Sequence, residues 1–316
     1  MVSTLNAVGA WPALPLAEWQ DTYTTLHRWM QIVGKTRLQF APMQNHWWNA
    51  TLYLTTRGLG TSPMPDGTRT FDVELDFIDH SLAVTSGDGA VRMMSLKPRS
   101  VADFYAEYLD ALRSLGIRPH IWPVPREMDD NLRFDEDRIH TSYDPEAAHR
   151  CWRALADTDR VLKAYRAKFL GKSSPSHFWW GSFDIACTRF SGNRAPTHPG
   201  GVPNCPDYVT IEAYSHECIS VGWWPGSAGR MDEPGFYAYA YPEPPGYPVA
   251  AIQPAGAYYH SELHDWVYPY DALRSTPDPD AALLEFLESA YSTAADLGRW
   301  DRAALERPKQ RFPFDT

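Results

Sequence analysis

The sequence predicts an α+β fold made of two diverged copies of one helix-strand-hairpin-helix unit. The copies are expected to be related by a pseudo-two-fold and to carry antiparallel sheets backed by helices, the second enlarged by extra strands. Three observations predict this: two matched tryptophan segments, period-two alternation downstream of them, and two helix starts written in the same Asp-Pro grammar. NHWWNATLYLTTRGLG at 45–60 aligns with SHFWWGSFDIACTRFSG at 176–192. An offset of 132 puts Trp47 and Trp48 on Trp179 and Trp180, Thr56 on Thr188 and Arg57 on Arg189, and His46 meets His177 after a one-residue slip. A fixed offset shared by rare residues is the mark of a repeated supersecondary unit.

The elements follow in order. A first helix starts near Leu16 and is expected to close at Gly34, a residue that tolerates the positive φ of a helix end. Trp19 lies over Trp152, and the two helical stretches end in Gly34-Lys35 and Gly171-Lys172. FDVELDF and VTIEAY alternate as half-buried strands do, with Phe71, Val73, Leu75 and Phe77 on one face. FDVELDFIDHSLAVTS resembles DYVTIEAYSHECISVG, which places Asp76 over Glu212 and His80 over His216, both histidines at an expected hairpin turn. Asp144-Pro145 and Asp278-Pro279 each supply an N-cap followed by a proline at the first helical position. The helix VADFYAEYLDALRSLG superposes on ALLEFLESAYSTAADLG, Phe104 over Phe286. The expected organisation is a first copy at 1–117, a connection at 118–143, and a second copy at 144–316 with an insertion at 223–278.

Charge and composition bound the partners. Lys and Arg total 29 against 39 Asp and Glu, a formal charge of −10 that disfavours nucleic acid and anionic membranes. Cys151, Cys187, Cys205 and Cys218 lack C-x-x-C spacing and read as reduced thiols. The N-terminus lacks a basic start with an apolar core, and no apolar run approaches a membrane span, so the cytoplasm is the expected location. The chain holds 13 Trp, 17 Tyr and 13 Phe, enough rings for either a heavy core or the walls of a ligand cavity.

Differences between the copies point to a site. FYAYAY sets Tyr237, Tyr239 and Tyr241 on one strand face inside the insertion, which is either a lid over a pocket or added sheet. Asp184 stands where the first copy has Leu52, a carboxylate in a core-like position. Strand parity groups Trp180, Ser182, Asp184 and Thr188 opposite Trp179, Phe183, Ile185 and Arg189. The candidate polar groups are Asp184, Glu212, His216 and Arg189, with His216 or an acid as general base. Trp180, Trp224, Tyr241, Tyr259 and His177 are the candidate binding residues. Each has a plainer reading: Asp184 and Arg189 as a structural ion pair, and His80 and His216 as polar turn residues. No phosphate-binding loop, dinucleotide fingerprint, nucleophile elbow or H-E-x-x-H occurs, and the cofactor is unknown from the sequence.

With HFWWGSFDIACTRFSG, EAYSHECISVGWWPG and FYAYAYPEPPGYP in view, the chain resembles a bacterial family known only as a domain of unknown function (family 5996). The resemblance spans AWPALPLAEWQDTY to the last helix and implies no reaction, cofactor or catalytic residue. Three functional readings follow from the residues. The first is a small-molecule enzyme or binding protein with an aromatic-walled pocket in the second copy. The second is metal-dependent chemistry on His177, His216 and Glu212 or Glu217, and the third is a non-enzymatic assembly module.

Overall fold

Residues 11–227 and 229–308 are described by the structure, a computed structural model; the segment examined for a targeting signal lies outside them through residue 10. Helix α1 (Leu16–Phe40) leads through a short 3-10 turn at Asn45–Trp47 into a six-stranded antiparallel sheet. Its strands are β1 (Tyr53–Leu54), β2 (Gly58–Gly60), β3 (Met64–Asp66), β4 (Arg69–Asp76), β5 (Ser81–Ser86) and β6 (Val91–Ser95), ordered β1-β2-β4-β5-β6 with β3 on β4. Helix α2 (Val101–Ser114) closes this half, and an irregular connection leads to α3 (Pro145–Ala167).

The second sheet comprises β7 (His177–Trp179), β8 (Asp184–Arg194), β9 (His216–Trp224), β10 (Gly235–Tyr241), β11 (Tyr258–His260) and β12 (Asp265–Pro269). Its order is β11-β12-β10-β9-β8-β7, so β10, β11 and β12 extend the sheet beyond β9. Helix α4 (Asp207–Ala213) lies between β8 and β9, and α5 (Tyr270–Arg274), α6 (Pro279–Leu297) and α7 (Arg302–Leu305) follow β12. The two sheets meet edge to edge at one point. Leu52 and Phe178 exchange both backbone hydrogen bonds, each 2.9 Å long, beside β1 and within β7. Among the described residues no helix is long and apolar enough to cross a membrane.

Local chemistry accounts for several boundaries. The Asp144 carboxylate accepts from the N–H groups of Glu146 and Ala147 with Pro145 at the first helical position, and Asp278 caps α6 through Ala281 in the same way. In β4 the side chains of Phe71, Val73 and Leu75 are buried while their neighbours are half-buried, as period-two alternation requires.

Two expectations are corrected. Gly34 does not end α1, which continues for another turn and a half; the residue lies against the Trp180 ring, and its missing side chain serves packing rather than a helix stop. VTIEAY is not a strand. Pro206 precedes a short helix, and Val209, Thr210, Ala213 and Tyr214 fall on one helical face toward a cavity. His216 therefore begins β9, opposite Arg194, rather than occupying a hairpin tip. His80 does sit in the β4–β5 turn, with φ 50° and Nδ1 2.9 Å from the Tyr143 hydroxyl. FDVELDFIDHSLAVTS is a hairpin where its sequence match is helix then strand, and the structure does not confirm an internal duplication.

Strand parity divides the second sheet into two working faces. Ile185, Cys187, Ile219, Val221, Trp223, Phe236 and Ala238 form the buried face, and α3 and α6 pack on these strands. Asp184, Ala186, Thr188, Cys218, Ser220, Tyr237 and Tyr239 face the other way, into a cavity roofed by α4.

Candidate active site

The cavity has two lobes of about 200 and 230 Å³ that share Ser182, Asp184, Tyr214, Tyr237 and Tyr239. His46, Trp47 and Trp48 from the first half line only the larger-walled first lobe, together with Glu127 and Trp179. Trp224, Met231, Leu263 and Asp265 line only the second. Each lobe alone is smaller than the roughly 300–1,000 Å³ of pockets for drug-sized ligands.

Asp184 stands at the junction of the lobes and is only 7% exposed. The Ser182 hydroxyl donates to its Oδ1 over 2.5 Å, and the Tyr237 hydroxyl donates to its Oδ2. Tyr237 can reach across β9 because Gly222 lies beside it: a Cβ there would stand 2.5 Å from the phenol oxygen and 2.3 Å from the Ile185 carbonyl. The turn before β8 delivers the acid. Phe183 adopts φ 61° and donates its N–H to the Trp179 carbonyl over 2.8 Å, while Trp224 Nε1–H donates to the Ser182 carbonyl over 3.0 Å.

A second carboxyl comes from the connection between the halves. Gln31 clasps Arg126, donating to its carbonyl over 2.8 Å and accepting from its N–H over 2.7 Å, and Lys35 donates to the carbonyls of Trp122 and Val124. Glu127 follows with φ 57°, its N–H bonded to the Pro203 carbonyl over 3.0 Å. The residue as a whole is exposed at the cavity mouth, but its carboxyl is packed over Gly181, where a Cβ would meet Oε1 at 2.1 Å.

Burial sets the acidity of these groups. It lifts Asp184 to about 6 against the pull of the Ser182 and Tyr237 hydroxyls. Glu127 rises to about 7 through burial and the nearby Asp184 charge. Asp265 rises to about 7 through burial, Asp184 and Glu243. Further hydroxyl pairs line the walls, Tyr214 with Tyr239 at 2.8 Å and Thr188 with Ser220 at 2.9 Å. His46 bonds the Ala213 carbonyl through Nδ1 over 2.8 Å and accepts from Lys172 at Nε2 over 2.6 Å, with burial lowering its pKa.

Of the candidate catalytic and binding residues, the structure places Asp184 and Trp224 in the cavity wall and the others elsewhere. Arg189 has the opposite parity: its guanidinium lies 3.5 Å from the Tyr165 ring centroid and 4.2 Å from that of Tyr291, and pairs with Glu288 at 3.1 Å. It therefore pairs with neither Asp184 nor a ligand in this cavity. Trp180 follows the end of β7, so parity does not run through it; its indole N–H donates to the Ala50 carbonyl over 2.6 Å. His177 is 1% exposed, ringed by Trp48, Tyr53 and Trp179, and burial draws it down to about 3, leaving a neutral core imidazole. His216 stacks edge-on to His46 at 5.7 Å behind the cavity wall, and Glu212 sits half-buried in α4 without lining it.

Tyr241 lies past the cavity edge, its hydroxyl on the Pro196 carbonyl at 3.1 Å and its ring against Tyr214. Tyr259 packs on Trp266 and donates to Glu243. Glu217 accepts from Ser191 over 2.7 Å. Among the described residues no three His, Cys, Asp or Glu side chains come together as ligands of a metal ion, so His177, His216, Glu212 and Glu217 do not form the centre expected of them. Glu127 and Asp265 escaped the sequence reading, since neither carries a local signal. Tyr237 and Tyr239 are legible in the FYAYAY alternation.

Residues 11–307 match the model of a family described as a family of unknown function (DUF5996). The chain belongs to this family. No curated protein and no solved structure matches the chain. The family match assigns no reaction, but it spans every element that walls the cavity, from His46 to Val267.

Proposed function

We propose that the protein takes a small molecule into this cavity and carries out general acid–base chemistry on it, with Asp184 and Glu127 as the proton-exchanging groups. One observation carries the reading: a desolvated Asp184, steered by two hydroxyl donors, shares a semi-enclosed, ring-walled cavity with a second carboxyl. Acids that titrate near 6 and 7 keep both protonation states accessible at neutral pH, the condition under which proton transfer is most effective. The aromatic walls exclude water and orient an apolar body against the acids.

The four cysteines are free thiols, three of them buried, and this supports a cytoplasmic site of action. The net charge of −10 supports a small-molecule partner over nucleic acid or an anionic membrane.

The test is a thermal-shift screen of metabolites on the whole chain, followed by turnover assays on the hits. Ligands of the cavity raise the melting temperature of the wild type and lose that effect in Asp184→Asn. Turnover falls by about 100-fold or more in Asp184→Asn and in Glu127→Gln. Hits that stabilise wild type and Asp184→Asn equally, and are turned over equally, would sink the reading.

A further inference from the structure

Glu127 lines the first lobe, Asp265 the second and Asp184 both, and the groups acting on them are one another, Glu243 and the hydroxyls of Ser182 and Tyr237. Among the described residues no lysine or arginine lines either lobe, and Lys172 meets the wall at His46. Buried carboxylates without a counter-charge are costly, and a cation brought by a ligand would offset that cost. Trp179, Trp224, Tyr237 and Tyr239 line the same lobes, and aromatic ring faces attract cations independently of the carboxylates.

The groups at Asp184 set what a ligand must offer. Around it the walls present carboxylate oxygens and the hydroxyl oxygens of Ser182 and Tyr237, all able to accept hydrogen bonds. A quaternary ammonium has no N–H to fill them, whereas a primary ammonium has three. The three acids disfavour a carboxylate on the same ligand.

We infer that the ligand of this cavity is a small protonated primary amine that carries no carboxylate. The assignment rests on the cavity being the binding site proposed above. The ammonium sits against Asp184 where the lobes join.

Ligand-observed NMR on the full chain tests this with four probes: aminobutanol, butanediol, aminobutyrate and the N-trimethylated aminobutanol. Aminobutanol is expected to bind at least about tenfold more tightly than each of the other three. That preference should disappear in Asp184→Asn and in Asp265→Asn, so one folded variant suffices. Equal or tighter binding of butanediol or aminobutyrate overturns the positive charge, and equal binding of the trimethylated compound overturns the N–H contacts. A preference for aminobutanol that persists in both variants locates it outside the cavity and overturns the assignment, as does binding of none of the four. If the amines fail while the metabolite screen yields an uncharged ligand that needs Asp184, the amine class falls and the cavity remains a binding site. If that screen also yields nothing dependent on Asp184, both fall.

Discussion

Gly34 and Trp180 occupy one volume: a Cβ on Gly34 would stand 2.2 Å from Cδ1 of the indole. The bare backbone of α1 is the seat for that ring, whose N–H is fixed to Ala50 while His27 bonds the carbonyls of Trp180 and Gly181 at 3.1 and 2.9 Å. Three residues later the chain enters β8 at Asp184. The helix thus sets the position of the turn that presents the acid.

Gly34→Ala tests this relationship. Alanine favours a helix interior by about 1 kcal/mol over glycine, so an isolated helix would gain. Here the methyl must displace the Trp180 ring, and overpacking of this kind costs about 1–3 kcal/mol. The expected outcome is a lower urea midpoint together with weaker binding of any ligand that needs Asp184. An unchanged or higher midpoint would show that the ring moves freely.

Asp265→Asn is expected to change the dependence of stability on pH. Asp265 titrates near 3.8 when unfolded and at about 7 in the folded protein. Between those values the folded protein retains a proton that the unfolded chain has released, so stability falls as pH rises through the window. Asparagine cannot ionise. The advantage of the variant in melting temperature should therefore grow from about pH 4 to about pH 7 and then level off. His27 and His177, lowered by burial to about 4 and about 3, give stability that rises with pH up to their unfolded value of 6.5; this opposite trend cancels in the comparison. A constant difference across the range would refute the assignment.

Tyr237→Phe removes one of the two hydroxyls that stabilise the ionised form of Asp184 and hold its pKa down. The Asp184 midpoint should move upward from about 6, followed by carbon-13 NMR of the aspartate carboxyls. Tyr214→Phe, whose hydroxyl bonds Tyr239 instead, serves as the control and should leave it in place. A midpoint unmoved by Tyr237→Phe would remove the phenol from the acid's surroundings.

Arg189→Met separates structure from function on a single strand. The guanidinium is buried between two tyrosine rings and paired with Glu288, and breaking such a pair costs about 3 kcal/mol or more. Because Arg189 projects from the face opposite Asp184, ligand affinity at a temperature where the variant is folded should stay as in wild type. A loss of affinity without loss of stability would bring Arg189 back into the site.

Those features that depend on neighbours in the chain were legible in the sequence. The caps at Asp144 and Asp278 act within three residues, and β4 alternates because one face meets the core. Asp184 stood out as a carboxylate in a core-like position, and strand parity already separated it from Arg189. Features that depend on distant partners were hidden. Gly34 has the chemistry of a helix stop and is claimed instead by a ring 146 positions away (180 − 34). VTIEAY satisfies strand alternation, but four of the residues at 209–214 face the cavity at helical spacing. Glu127 lies in a proline-rich connection that reads as solvated linker; only the grip of Gln31 and Lys35 turns it inward.

The route of the chain across the Leu52–Phe178 junction has a bearing on inheritance. Trp47 and Trp48 arrive from the 3-10 turn ahead of one sheet, Glu127 from the connection, and the remaining walls from the other sheet with α4 and its loop. Neither half, transplanted alone into another protein, would bring the whole cavity with it. A change at the joint between the sheets therefore reaches the cavity walls, and the smallest inheritable unit that carries them all is close to the whole span of 11–307.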